Sequence, residues 1–267
     1  MKKIGLCLSV AFLLLFLVGD AEGENFASVP LFITGESEGS LSIDSPSGSN
    51  VETVAIASNE QDQQGVFKEL GRWSTGSLDV NSNLSGDWSG NTWVSSNRDA
   101  TVNIRYTIIQ DDNNLAAFEF TDVVAAGDTI EITGSSNIEL TNLDTSSLTL
   151  LIEASWTAQP GTPPPTPPAN TTILMEYGSS SRNTGVEISI SHVQIRGGGE
   201  PFVNEGQSEV TIYVKVYSVF GVDQILSNSK NSYELSMGPR DESIWESSVD
   251  SVSEKSSYME IQFLWSY

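Results

Sequence analysis

The sequence predicts an all-β protein built of antiparallel sandwiches. Three observations carry this. Apolar and polar residues alternate with period two through most of the chain, β-branched residues are abundant, and clusters of Ser, Asn, Asp and Gly, which close turns, lie between the alternating runs. Serine alone occurs 40 times, so polar strand faces and turns are made mainly of small hydroxyl residues. Helices of ordinary length are hard to find; 61–70 and 244–255 are the candidates, and neither keeps a 3.6-residue period.

In chain order the strands fall at 29–34, 40–43, 51–57, 101–109, 116–120 and 129–132, then at 148–156, 172–177, 186–195, 209–220, 232–237 and 258–265. The clearest is the tenth, where Val210, Ile212, Val214 and Val216 alternate with Thr211, Tyr213, Lys215 and Tyr217. One face is apolar; the other mixes polar and aromatic groups that pair across strands. Short strands, polar turns and no helical crossovers argue for antiparallel layers.

The first 23 residues read as an export signal. Lys2 and Lys3 precede the apolar run 4–18, and Gly19-Asp20-Ala21 and Ala21-Glu22-Gly23 offer small residues for cleavage. Cleavage removes Cys7, the single cysteine, leaving about 240 residues that must hold together through their core alone. The mature chain is then secreted or displayed at the cell surface, with no membrane insertion.

Charge excludes other functions. From Glu24 onward there are 10 basic and 33 acidic residues, the same net −23 as the whole chain. Such a surface repels nucleic acid and other anionic polymers. One His and one Cys cannot supply a zinc site of several such ligands.

The segment Gln159-Pro-Gly-Thr-Pro-Pro-Pro-Thr-Pro-Pro-Ala-Asn170 is rich in proline, which cannot join a sheet ladder. It reads as an interdomain linker or as a long loop within one domain.

Several segments together resemble a known family. These are Trp73-Ser-Thr-Gly-Ser-Leu-Asp-Val-Asn-Ser-Asn-Leu-Ser-Gly-Asp-Trp88, Asn91-Thr-Trp-Val-Ser-Ser-Asn97 and Phe32-Ile-Thr-Gly-Glu-Ser-Glu-Gly-Ser-Leu-Ser42. Leu148-Thr-Leu-Leu-Ile-Glu-Ala-Ser155 and Thr171-Thr-Ile-Leu-Met-Glu-Tyr-Gly-Ser179 complete the set. They are similar to the galactose-binding-like jelly roll that forms the C-terminal module of X-Pro dipeptidyl-peptidases and cocaine-esterase-type hydrolases. The resemblance implies a jelly-roll sandwich over 25–195 with the proline tract 159–170 as a loop. The family's catalytic residues sit on a separate hydrolase domain without counterpart here, and Asn97-Arg-Asp-Ala100 replaces its Asp-Thr-Asp run. It therefore implies a non-catalytic module. The tail, 199–267, is similar to the first strands of an immunoglobulin-like domain of prokaryotic surface proteins, through 209–217 and Val219-Phe-Gly-Val-Asp-Gln-Ile225. At about 70 residues it is shorter than the ~100 of a full domain, so its last strand closes the tail or the chain is a fragment.

Candidate sites follow from residue chemistry. Trp73, Trp88 and Trp93 lie close in sequence; Trp88 and Trp93 are candidates for stacking on sugar rings, against a reading in which all three pack in the core. Asp79, Asn81, Asn83 and Asp87 are spaced like oxygen ligands of a structural Ca²⁺, although Leu84 holds the turn-glycine position of a helix–loop–helix loop and Gly90 the place of its last acid. Asp111-Asp-Asn-Asn114 reads as a second such loop or as a hairpin turn. Gly35-Glu-Ser37-Glu-Gly39 matches a nucleophile elbow, but a strand-like run follows where that motif needs a helix, so it reads as a turn. His192, the single imidazole, breaks the alternation of its strand and reads as structural. Asn83-Leu-Ser85 and Asn170-Thr-Thr172 are N-glycosylation sequons.

The functional expectation is a non-enzymatic secreted or surface β-sandwich for adhesion or ligand binding, with a polysaccharide or another surface protein as partner. The alternative is a secreted hydrolase using carboxylates such as Glu119, Asp122 or Glu153.

Overall fold

The computed structural model describes residues 26–35, 39–58, 64–159, 170–191, 193–199, 209–222 and 247–266. The signal segment, Ser37, the proline tract, His192 and the strand expected at 232–237 lie outside them. Among the described residues the regular elements are all strands. They divide into two compact units, 26–190 and the described part of 191–267.

The first unit holds β1 (Ala27–Thr34), β2 (Ser40–Ser42), β3 (Glu52–Ser58), β4 (Lys68–Ser74), β5 (Ser82–Ser96) and β6 (Ala100–Gln110). It continues with β7 (Asn113–Val124), β8 (Thr129–Leu143), β9 (Thr149–Ala158), β10 (Thr171–Tyr177) and β11 (Gly185–Ile190). All join one hydrogen-bonded sheet in the order β3-β10-β5-β11-β1-β2-β4-β9-β6-β7, with β8 on β5. Pairing is antiparallel except for a parallel bridge between Ser40 and Ser74, which links β2 to β4. β5 carries β8 along one edge. Its other edge takes β11 over the first part and β10 over the last.

The sheet doubles over, so β5 and β8 face β6 and β7. Across this interior the ring of Trp88 meets Phe118 edge-on, centroids 4.3 Å apart. Tyr106 stacks edgewise on Phe118 and Phe120 at 5.7 and 5.2 Å. Each such pair adds ~1 kcal/mol beyond its buried area. The interior also takes Leu31, Ile33, Leu84, Val94, Ile104, Ile152 and Ile188, all within 2 % of full burial. Small residues sit opposite the rings: at Gly134 an added Cβ would lie 2.4 Å from that of Phe120.

The second unit has β12 (Val193–Gly199), β13 (Glu209–Ser218), β14 (Ser247–Glu254) and β15 (Met259–Ser266) in the order β12-β13-β15-β14, all antiparallel. Its core is Val216, Val222, Met259, Ile261 and Phe263, flanked by Ile212, Val214 and Val252. The opposite face carries Tyr217 and Tyr258, rings 5.4 Å apart, with the Lys215 ammonium over Tyr258 at 4.9 Å.

Four expectations are corrected. The described part of the helix candidate 61–70 ends in β4, and 247–254 of the candidate 244–255 is β14. Both strands bulge, β4 between Glu69 and Gly71 and β14 between Val249 and Ser251. A bulge adds one residue, so inward side chains fall three apart instead of two. Leu70 and Trp73 are thus both buried, and in the backbone register Val249 and Val252, three apart, stand opposite Phe263 and Ile261, two apart. In sequence that spacing imitates a helix. The strand expected at 186–195 is two: β11 pairs with β1 and β5, whereas β12 pairs with β13. Finally, 82–96, absent from the expected strands, is the long central strand β5.

Candidate functional site

A concavity of about 540 Å³ opens at the turn between β6 and β7. It is lined by Gly39, Arg72, Ser74, Ile109, Asp111, Asp112, Ser147 and Thr149. Asp111 and Asp112 form a two-residue hairpin loop, both with positive φ, 48° and 64°. Such a loop matches the twist of its flanking strands, and Asp is among the few non-glycine residues that accept this conformation. The hairpin reading of Asp111-Asp-Asn-Asn114 is the one the structure bears out.

The turn is anchored from beneath. Gln110, 6 % exposed, donates its amide to the carbonyls of Asp144 and Ser146 at 3.3 and 3.0 Å and accepts from the Asp144 N–H at 3.2 Å. Ser146 donates its hydroxyl to Asp111 Oδ2 at 2.8 Å and its N–H to Asp144 Oδ1 at 2.7 Å. These bonds to Ser146 hold the Asp144 carboxyl below its ordinary value. On the opposite wall the hydroxyls of Ser74 and Thr149 share a hydrogen bond of 2.7 Å. Arg72 makes a forked pair with Glu69, both contacts at 3.1 Å. The hydrogen bond to Glu69 raises the guanidinium above its ordinary value, with a further contribution from Asp112 across the groove. The walls therefore present carboxylates, hydroxyls and a guanidinium over the buried floor of Ile109. Neither histidine nor cysteine lines the groove.

The sequence-derived residues are placed elsewhere. Trp88 is 2 % exposed and belongs to the interior, so it offers no stacking face. Trp93 is half-buried on the outer face, but the Arg182 guanidinium lies over its ring, 4.2 Å from the centroid. Arg182 is held there by Glu176, Nε to Oε2 2.7 Å, and Asn91 donates to Glu131 beside it at 3.0 Å. The indole surface is already occupied by the protein's own cation.

The calcium loop does not form. Asp79 and Asn81 are exposed in the segment before β5, whereas Asn83 and Asp87 lie within β5. Four residues of extended strand separate the last two by about 13 Å, too far to share one ion. Asp87 instead accepts from Asn137 on β8 at 3.0 Å. Among the described residues, no group of three or more His, Cys, Asp or Glu is placed to hold a metal ion.

The carboxylates of the hydrolase alternative are bound up in a surface row. Arg105 on β6 pairs with Glu119 on β7 at 2.7 Å and Glu153 on β9 at 3.5 Å, and its guanidinium covers Phe67 at 3.7 Å. Asp122 is exposed and accepts from the adjacent Val123 N–H at 2.7 Å. Glu119 and Glu153 thus flank a cation on one sheet face and do not oppose each other across a cleft.

No family model and no curated protein sequence matches the chain. Solved structures do. An aminopeptidase from a marine-sediment Thaumarchaeota archaeon is 12% identical, with a TM-score of 0.47 over 63% of this chain and 37% of that one. A CocE/NonD family hydrolase from Staphylococcus aureus is 11% identical, with a TM-score of 0.44 over 62% of this chain and 36% of that one. An α-amino acid ester hydrolase is 9% identical, with a TM-score of 0.47 over 61% of this chain and 36% of that one. The overlap spans little more than a third of each of those chains.

Groove residues Arg72, Ser147 and Thr149 were beyond sequence reasoning. They come from two separate stretches of chain brought together by the pairing of β4 with β9, and single Ser, Thr and Arg residues carry no motif.

Proposed function

We propose that the chain is a non-catalytic binding module of a secreted or cell-surface protein, and that the groove at the β6–β7 turn takes a polysaccharide segment. The observation that carries this reading is the lining: Asp111 and Asp112 on a left-handed turn face Arg72 and the paired hydroxyls of Ser74 and Thr149. Its volume falls within the ~300–1,000 Å³ usual for ligand sites. Apolar pockets suit drug-like molecules, whereas carboxylates, hydroxyls and a guanidinium replace the hydration of sugar hydroxyls. The basic and apolar N-terminal run supports export. A net charge of −23 favours neutral glycans over sulfated or uronate-rich ones.

Calorimetric titration of the full chain against a panel of neutral and acidic polysaccharides, with and without Ca²⁺, tests the reading. The expected result is binding of a neutral glycan that Asp112→Ala weakens tenfold or more. Absence of binding across the panel, or binding that Asp112→Ala and Ser74→Ala leave intact, would refute it.

A further inference from the structure

We infer that the fold opens one of its two sequons, Asn170-Thr-Thr172, to N-linked glycosylation and closes the other, Asn83-Leu-Ser85. Both have the required sequence; their placements differ. Asn83 lies inside β5, paired with Asn142 on β8. The next residue, Leu84, is fully buried and is paired with Thr141 on one side and Ile190 on the other. A transferase must draw the acceptor out of regular structure to present its amide. For Asn83 this means parting β5 from β8 and β11 within the central strand, whereas Asn170 stands before its strand begins.

Asn170 is exposed and precedes β10 by one residue. Thr171 is buried, and Thr172 is bonded on both sides, by Ala57 of β3 and by the Asn97 N–H to its carbonyl at 3.3 Å, but Asn170 itself lies outside the strand and the β5 ladder joins only at Ile173. The segment is clasped by Asn97, whose amide donates to the Asn170 carbonyl at 3.0 Å and whose Oδ1 accepts from the Thr172 N–H at 2.9 Å. These contacts engage the backbone and leave the Asn170 amide on the exposed side of a strand end. In the transfer, Nδ2 of Asn170 attacks the anomeric carbon of a lipid-linked oligosaccharide diphosphate. The N–C bond forms as the C–O bond to phosphate breaks. The lipid diphosphate leaves with the electron pair, and the amide proton passes to a base of the transferase.

The test uses the purified folded chain and the same chain unfolded in denaturant and diluted just before reaction. Each is given a single-subunit oligosaccharyltransferase that recognises Asn-X-Ser/Thr, with its lipid-linked donor, and occupancy is read by peptide mass spectrometry. The unfolded chain should be modified at both sites and the folded chain at Asn170 alone. Asn170→Gln should abolish the folded-chain product, and Asn97→Ala should speed its formation severalfold. A folded chain unmodified at Asn170, or modified as readily at Asn83, would overturn the inference, as would an unfolded chain refused at Asn170.

Discussion

Gly90 on β5 lies flat under the ring of Tyr106 on β6: a Cβ added at Gly90 would stand 2.6 Å from Tyr106 Cε2 and 3.2 Å from Phe118 Cζ. The two opposed faces of the first unit meet here. Gly90→Ala should destabilise the chain by ~1–3 kcal/mol, the usual cost of overpacking a filled core. Gly76→Ala, where a Cβ meets nothing within 4 Å, should cost nothing measurable. Denaturant midpoints of the two variants give the comparison, and equal midpoints would contradict the packing described.

The Tyr106 hydroxyl is shut inside the same interface, 2.6 Å from Thr92 Oγ1 and donating to the Asn91 carbonyl at 2.8 Å. Burial pushes the phenol well above its ordinary value of 10.0. Unfolding releases it to ionise normally, so the unfolded state binds fewer protons than the native one above that pH. Stability is therefore complete below pH 10 and falls as pH rises beyond it, by at most ~1.4 kcal/mol per unit from this group. Tyr106→Phe should flatten that part of the pH profile. At neutral pH it should cost ~1–3 kcal/mol, because a buried hydroxyl loses its partner.

Arg105→Ala leaves Glu69, Glu153 and Glu119 in a row across β4, β9 and β7 without the cation between them. The expected loss is about 1 kcal/mol, since such partly exposed pairs are worth little singly. It should shrink at high ionic strength as salt screens the remaining repulsion. Urea melts at low and high salt measure this; a salt-independent loss would assign the effect to the contact with Phe67.

Arg182→Ala should uncover Trp93. Its emission should shift to the red and become open to a neutral quencher, while the buried Trp73, Trp88 and Trp156 stay protected. An unchanged spectrum would mean that Arg182 does not cover the indole in solution.

At the β6–β7 turn, Ser146→Ala removes the hydroxyl that bonds Asp111 and is among the groups that lower Asp144. The Asp144 carboxyl should titrate closer to its ordinary value, as followed by carbonyl NMR. The sign at the level of stability is that Asp144 favours the fold above its unfolded pKa, and this is lost as pH falls through the folded one.

Strand identity was legible wherever alternation is strict, as in β6, β9 and β13. It failed where tertiary packing rewrote the pattern. β5 is absent from the expected strands because Gly90 and Thr92 sit opposite aromatic rings that leave no space for large side chains. β4 and β14 read as helix because bulges move their inward residues to a spacing of three. A third bulge explains Leu140, 61% exposed: β8 carries an extra residue between Ile138 and Thr141, which turns Leu140 outward and brings Leu143 in. The tryptophans show the same limit for the site. Trp88 and Trp93 are five residues apart on one strand, so they point to opposite faces, and nothing local marks which face is covered.

Ala27 in the first strand lies beside Ile190 in the last. The ribosome must therefore release the whole first unit before its sheet can close, and closure over so long a span is slow. Until its synthesis has passed Ile190, a polypeptide of this kind holds its first strand without that neighbour.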